Sequence, residues 1–99
     1  MAKRKIVWSH KAQIKLFEIL DFYSVRNKSK LYSKKLYKRF IKESNLLIKH
    51  SEIGKPTDDD TIRGLIVEEF VLYYEVTPDK IIIHTVWDCR QNPKDLKIK

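Results

Sequence analysis

The 99-residue sequence holds only two glycines, three prolines and one cysteine. With so few glycines and prolines there is no flexible linker, and no segment is of low complexity or repeats another. The lone cysteine, Cys89, cannot close an intrachain disulfide, which excludes a disulfide-stapled secreted scaffold and suits a reducing cytosol. No apolar run approaches the roughly 18 residues that a bilayer span requires. The basic start, Met1 to Lys5, is followed by only Ile6, Val7 and Trp8 before polar residues return, too short a block for a secretory signal. The expectation is a cytoplasmic chain with no membrane partner. His10, His50 and His84 lie too far apart for a familiar zinc pattern, and Asp58-Asp59-Asp60 has no accompanying ligands, so no metal or other cofactor is expected.

What the sequence has in excess is positive charge. Twenty-one Lys and Arg stand against thirteen Asp and Glu, a net charge of +8. A charge of that size on one small domain, spanning residues 1–99, favours an anionic partner such as nucleic acid or an acidic protein segment. The apolar share of 42% is that of a globular domain and not of a disordered tail.

Periodicity supplies the elements. Lys5 to Trp8 reads as a short strand, and Ser9 suits a helix N-cap. Ala12, Leu16, Ile19, Leu20 and Tyr23 then recur at helical spacing, with Phe17 and Phe22 broadening the apolar face. Arg26-Asn27-Lys28-Ser29 breaks the pattern. A second helix follows, with Tyr32, Leu36, Phe40 and Leu47 on one side and Tyr37, Ile41 and Ile48 beside them, ending around His50 ahead of Gly54 and Pro56. So short a connection makes the two helices an antiparallel hairpin. Lys55 to Asp60 reads as a polar loop. Three strands complete the chain, Thr61 to Val67, Phe70 to Val76 and Lys80 to Trp87, joined by turns at Glu68-Glu69 and Pro78-Asp79. The unbroken Ile81-Ile82-Ile83 marks the last strand as central and covered on both faces. The expected fold is α+β, in the order strand, helix, helix, strand, strand, strand: a helical hairpin on a mainly antiparallel sheet.

This order, with these residues, resembles the RelE/ParE toxin superfamily over roughly Lys5 to Leu96. The resemblance rests on Trp8-Ser9 followed by Ala12; on Ile53-Gly54-Lys55-Pro56 at the exit from the hairpin; on Ile62-Arg63-Gly64-Leu65 followed by Phe70 and Tyr73-Tyr74-Glu75-Val76; and on the run Val86 to Pro93. It implies the toxin half of a type II toxin–antitoxin pair, held silent by a cognate antitoxin whose binding segment the +8 charge leads one to expect is acidic. RelE-like members cut messenger RNA on the ribosome with basic and aromatic residues, whereas ParE-like members inhibit DNA gyrase. RelE-like ribonucleases carry an arginine three residues before the tyrosine that matches Tyr74; here that position is Val71, and no tyrosine follows Arg90. The long hairpin is likewise closer to the ParE-like branch. Oligomeric state stays open.

Metal-free RNA cleavage needs a base, an acid and cations around the phosphorane, which Arg63, Arg90 and His84 would have to supply. On a regular strand His84, Asp88 and Arg90 share parity and face one way. The plainer alternatives are that Arg90 pairs with Asp88, that His84 is a buried strand residue, and that Arg63 braces the Asp58–Asp60 loop. Cys89 reads as a structural thiol. For a toxin that acts by binding, Arg63 and Arg90 at the open end of the sheet, with Lys34 and Lys38 on the second helix, are the candidate contacts. That helix and its flanks hold Lys28, Lys30, Lys34, Lys35, Lys38, Arg39, Lys42 and Lys49 against one acid, Glu43, an excess that points to an anion. The ranking is a binding toxin first, a ribosome-dependent endoribonuclease second, and a non-toxic nucleic-acid-binding module third, with Tyr32, Tyr37 and Phe40 as its stacking surface.

Overall fold

The computed structural model describes residues 4–98, so the first three residues of the basic leader lie outside the described residues. Strand β1 (Lys5–Trp8) leads into helix α1 (His10–Asn27), and α2 (Leu31–Leu46) follows. Then come β2 (Lys55–Pro56), β3 (Ile62–Val67), β4 (Phe70–Val76) and β5 (Lys80–Asp88), with a short 3₁₀ turn at Pro93–Asp95. The sheet order is β1-β5-β4-β3-β2, with β1 parallel to β5 and the other pairs antiparallel.

Ser9 caps α1 as its sequence position suggests. Its Oγ accepts from the Ala12 N–H at 3.0 Å and donates to the His84 carbonyl at 2.9 Å, so one hydroxyl closes the helix and ties it to β5. The far end of α1 stops on Lys28 in the left-handed region (φ 51°), with Ser29 N–H reaching back to the Ser24 carbonyl at 3.2 Å. That geometry favours glycine and here carries a lysine. Between the helices Ser33 Oγ donates to the Leu20 carbonyl at 2.7 Å and shares a 2.9 Å hydrogen bond with Ser24 Oγ. Small hydroxyl side chains thus set the close approach of the hairpin, satisfying their own polar groups as they do so.

The core lies between the hairpin and one face of the sheet. Ala12, Leu16 and Tyr23 of α1 and Leu36 and Phe40 of α2 meet Leu65, Val67, Phe70, Leu72, Tyr74, Ile81, Ile83 and Val86. Phe40 and Phe70 pack edge to face at 5.5 Å between centroids, each burial worth about 1.5–3 kcal/mol. Several expectations are corrected. Phe17 and Phe22 are 67% and 53% exposed; each sits about 100° around the helix from its buried neighbour, Leu16 or Tyr23, beyond the stripe that the sheet can cover. Tyr32 and Tyr37 are also exposed, while Leu36, Phe40 and Leu47 are buried. Helix α2 ends at Leu46, because Leu47, Ile48 and Lys49 bond three residues back, to Ser44, Asn45 and Leu46, and tighten the chain out of the α form. The expected loop from Lys55 contains β2, a two-residue edge strand in which Pro56 needs no ladder donor. Strand β5 is paired on both sides, yet Ile82 is only half-buried, because no described helix or strand covers the outer face of the sheet.

The register of β4 against β5 shifts at one point. Tyr73 lies opposite Thr85 and Tyr74 opposite Ile83, which leaves His84 as an extra residue in a β-bulge. Inward parity therefore passes from Ile81 and Ile83 to Val86 rather than to Thr85, where the regular count would place it.

Candidate functional site

Three of the candidate residues fall in three different places: Arg63 and Arg90 lie toward opposite ends of β4, and the bulge sets His84 on the other face. Arg63 lies across from Tyr74, on the helix side of the sheet. Its Nη1 donates to the Gly54 carbonyl at 2.8 Å and to the Glu52 carbonyl at 3.3 Å. Tyr74 completes the same clamp: its hydroxyl donates to the Ser51 carbonyl at 2.8 Å and accepts the Gly54 N–H at 2.9 Å. The ring is fully buried, and burial pushes the phenol up from its ordinary value. Gly54 is required by proximity, since a Cβ there would lie 2.5 Å from the Tyr74 hydroxyl oxygen. Arg63 thus grips the hairpin exit rather than the Asp58–Asp60 loop, which Asp59 and Thr57 organise through their own hydrogen bonds.

Arg90 stands at the other end. It follows Asp88, the partner of Phe70, four residues along β4 from Tyr74, a separation of about 13 Å at about 3.3 Å per residue. Its guanidinium donates to Asp88 through Nε (3.0 Å) and Nη2 (2.8 Å) and also reaches the Tyr23 hydroxyl at 2.8 Å. Glu69 lies 3.4 Å from Nη1. The hydrogen bonds from Arg90 hold the Asp88 carboxyl below its usual range, and those to Asp88 and then Tyr23 hold the guanidinium still more firmly charged. The pairing of Arg90 with Asp88 is therefore found, and it fixes the arginine as a rigid planar fork at the mouth of a groove. That groove, about 370 Å³, runs between α1 and the end of β5, lined by Lys15, Glu18, Ile19, Phe22, Tyr23, Phe70, Val86, Asp88, Arg90 and Gln91. Tyr32 stacks edge-on against Tyr23 at 4.9 Å behind it.

His84 points away from both. Its Nε2 lies 2.8 Å from Glu75 Oε1, and both side chains are partly buried on the outer face of the sheet, opposite the hairpin. The shared parity expected of His84, Asp88 and Arg90 is overturned because the bulge at His84 turns its side chain to the face that Thr85 also takes. Cys89 is exposed. Lys34 and Lys38 stand in solvent on the outer side of α2.

Sequence reasoning missed Tyr23, Glu69 and Glu75, the partners of Arg90 and His84. Tyr23 was legible only as a core residue, and no spacing rule links Glu75 to His84 once a bulge intervenes.

The chain is thus a basic α+β domain with its helical hairpin on one sheet face, an apolar groove bounded by a fixed arginine, and its densest run of cations on α2. Residues 6–93 match the profile of the ParE toxin of type II toxin–antitoxin system, parDE, and the chain belongs to that family. A solved chain of the chromosomal ParDE TA system from P. aeruginosa superposes with a TM-score of 0.75 at 21% identity, covering 87% of this chain and 96% of that one. No curated protein matches the sequence.

Proposed function

We propose that this toxin arrests growth by binding a macromolecular target, a type II topoisomerase of the gyrase kind, and not by cutting RNA. The observation that carries the reading is the separation of Arg63, His84 and Arg90: two ends of the sheet and two faces, with each side chain already engaged inside the fold. Acid, base and phosphorane-stabilising cation must converge within hydrogen-bond reach of one phosphate, and a fully buried Tyr74 offers nothing to a substrate. His84 with Glu75 is a pair that suits proton transfer, and it lies on the outer face of the sheet, away from Arg63 and Arg90.

The cognate antitoxin is the second partner. The groove beside Arg90 offers Ile19, Phe22, Phe70 and Val86 as apolar walls, with the pairs Lys15–Glu18 and Arg90–Asp88 at its rim, which suits an amphipathic segment, and the net charge of +8 favours an acidic one. Target contacts are assigned to Arg63, Arg90, Lys34 and Lys38. The test is supercoiling of relaxed plasmid by purified gyrase: added toxin should inhibit it and the antitoxin should restore it. Full supercoiling at every toxin concentration would remove gyrase as the target.

A further inference from the structure

The outer face of α2 is more basic than either the fold or the groove requires. Arg39 takes both nearby acids, Glu43 at 3.0 Å and Glu68 at 3.3 Å. That leaves Lys34, Lys35, Lys38 and Lys42 exposed and, among the described residues, without an ion pair. Lys34, Lys38 and Lys42 follow one another at i,i+4, and Lys35 lies three residues before Lys38, so the four form one stripe whose like charges repel. Helix α2 also has no acid in its first turn, and the one side chain that meets its free N–H groups there is the neutral Ser29, whose Oγ accepts from Leu31 N–H at 3.2 Å, so its positive dipole end adds to that repulsion instead of relieving it. A helix that keeps such an arrangement gains from an anion laid along it.

The shape of the stripe selects among anions. Along a rigid helix, lysines four apart advance about 6 Å, while each strand of duplex DNA presents a phosphate about every 3.4 Å. That spacing is a rise along the duplex axis, and the winding strand sets neighbouring phosphates farther apart, so successive lysines can each face a phosphate of one strand. An acidic peptide would in addition seek apolar anchors. The exposed apolar side chains of α2, Leu31, Tyr32, Tyr37 and Leu46, sit at its ends or flanks and do not interrupt the lysine run, while the apolar groove lies beside α1.

We propose that Lys34, Lys35, Lys38 and Lys42 form a track for the phosphodiester backbone of duplex DNA, binding it without regard to sequence. The track holds the toxin on DNA, where an enzyme that acts on DNA is also found. The track shares Lys34 and Lys38 with the assigned target contacts, but DNA binding by it is a property of the free chain and needs neither target nor antitoxin.

The test is fluorescence anisotropy of a labelled 20-base-pair duplex with the purified chain across a salt series. With about −0.9 per neutralised phosphate, four lysines give a slope of log K against log salt of about −3.6, an affinity loss of about 150-fold between about 50 and about 200 mM salt. Lys38→Gln alone should flatten the slope by about 0.9. Lys34→Gln, Lys35→Gln, Lys38→Gln and Lys42→Gln combined should bring it near zero, with an unchanged circular dichroism spectrum. A control with the same charge change elsewhere, Lys5→Gln, Lys55→Gln, Lys80→Gln and Lys94→Gln, should keep most of the slope. If the control loses as much as the α2 variant, net charge and not this face binds DNA, and the proposal falls. It falls equally if a poly-glutamate peptide of matched charge binds more tightly than the duplex at the same salt, which would make the face an acidic-protein surface.

Discussion

Replacing Tyr74 with phenylalanine isolates one hydroxyl from an otherwise unchanged core. The ring stays, so no large cavity opens; what goes is the oxygen that accepts the Gly54 N–H at 2.9 Å and donates to the Ser51 carbonyl at 2.8 Å. Gly54 is buried, so its N–H is left without a partner in a place water does not reach. Losing the bond to Ser51 costs about 1 kcal/mol and stranding the buried Gly54 donor costs about 1–3 kcal/mol, a loss of about 2–4 kcal/mol. Against a total of about 5–15 kcal/mol that is a large fraction, and for a domain of this size it lowers the melting temperature by about 10–30 °C. Urea unfolding should show a lower midpoint with the same slope, because the surface exposed on unfolding does not change. Arg63→Ala releases the Gly54 and Glu52 carbonyls of the same segment, so the two substitutions should be non-additive by at least about 0.5 kcal/mol. A Tyr74→Phe protein within about 0.5 kcal/mol of the parent would show that the clamp does not hold the hairpin exit.

Lys28→Gly should stabilise the protein by about 0.5–1 kcal/mol, because glycine adopts the left-handed φ of 51° without the Cβ penalty; a lower urea midpoint would contradict this. Burial raises the phenols of Tyr73 and Tyr74, so each prefers its neutral form in the fold. The stability they confer is complete below their ordinary pKa of 10.0 and is lost as the pH climbs through the raised values. Phenolate absorbance followed with circular dichroism should show these tyrosines ionising late, with unfolding; all phenols titrating as one class in a native spectrum would contradict it. Arg90→Ala should leave a folded chain, because the residue is half exposed and Asp88 can turn to water, and should relieve growth arrest at equal expression. Full toxicity of that variant would withdraw Arg90 as a contact.

The sequence carried the element order because burial stripes leave a period: Leu36, Phe40 and the alternation of Phe70, Leu72 and Tyr74 are core positions in the structure. It did not carry the face on which His84 lies. A β-bulge is one unmarked residue, and it inverts every parity argument that crosses it. Phe17 and Phe22 misled for a different reason: apolar and polar side chains are interspersed around α1, so periodicity could not say where cover by the sheet ends. Strand order was equally silent, and the parallel pairing of β1 with β5 follows from the crossover through the hairpin. At the candidate site the local pair of Arg90 with Asp88 was legible, but the wider geometry of Arg63 and Arg90 was not, because Gly54 and Tyr23, which also engage them, are brought there by tertiary contacts.

The central claim, a toxin that binds and does not cut, is tested most directly by primer extension on translated message from cells in which the chain is induced. Growth should stop while the extension pattern matches that of uninduced cells, since no described arrangement of Arg63, His84 and Arg90 brings acid, base and cation to one phosphate. New stops at codons positioned in the ribosomal A site, appearing as growth ceases, would contradict the account and make the chain a ribonuclease.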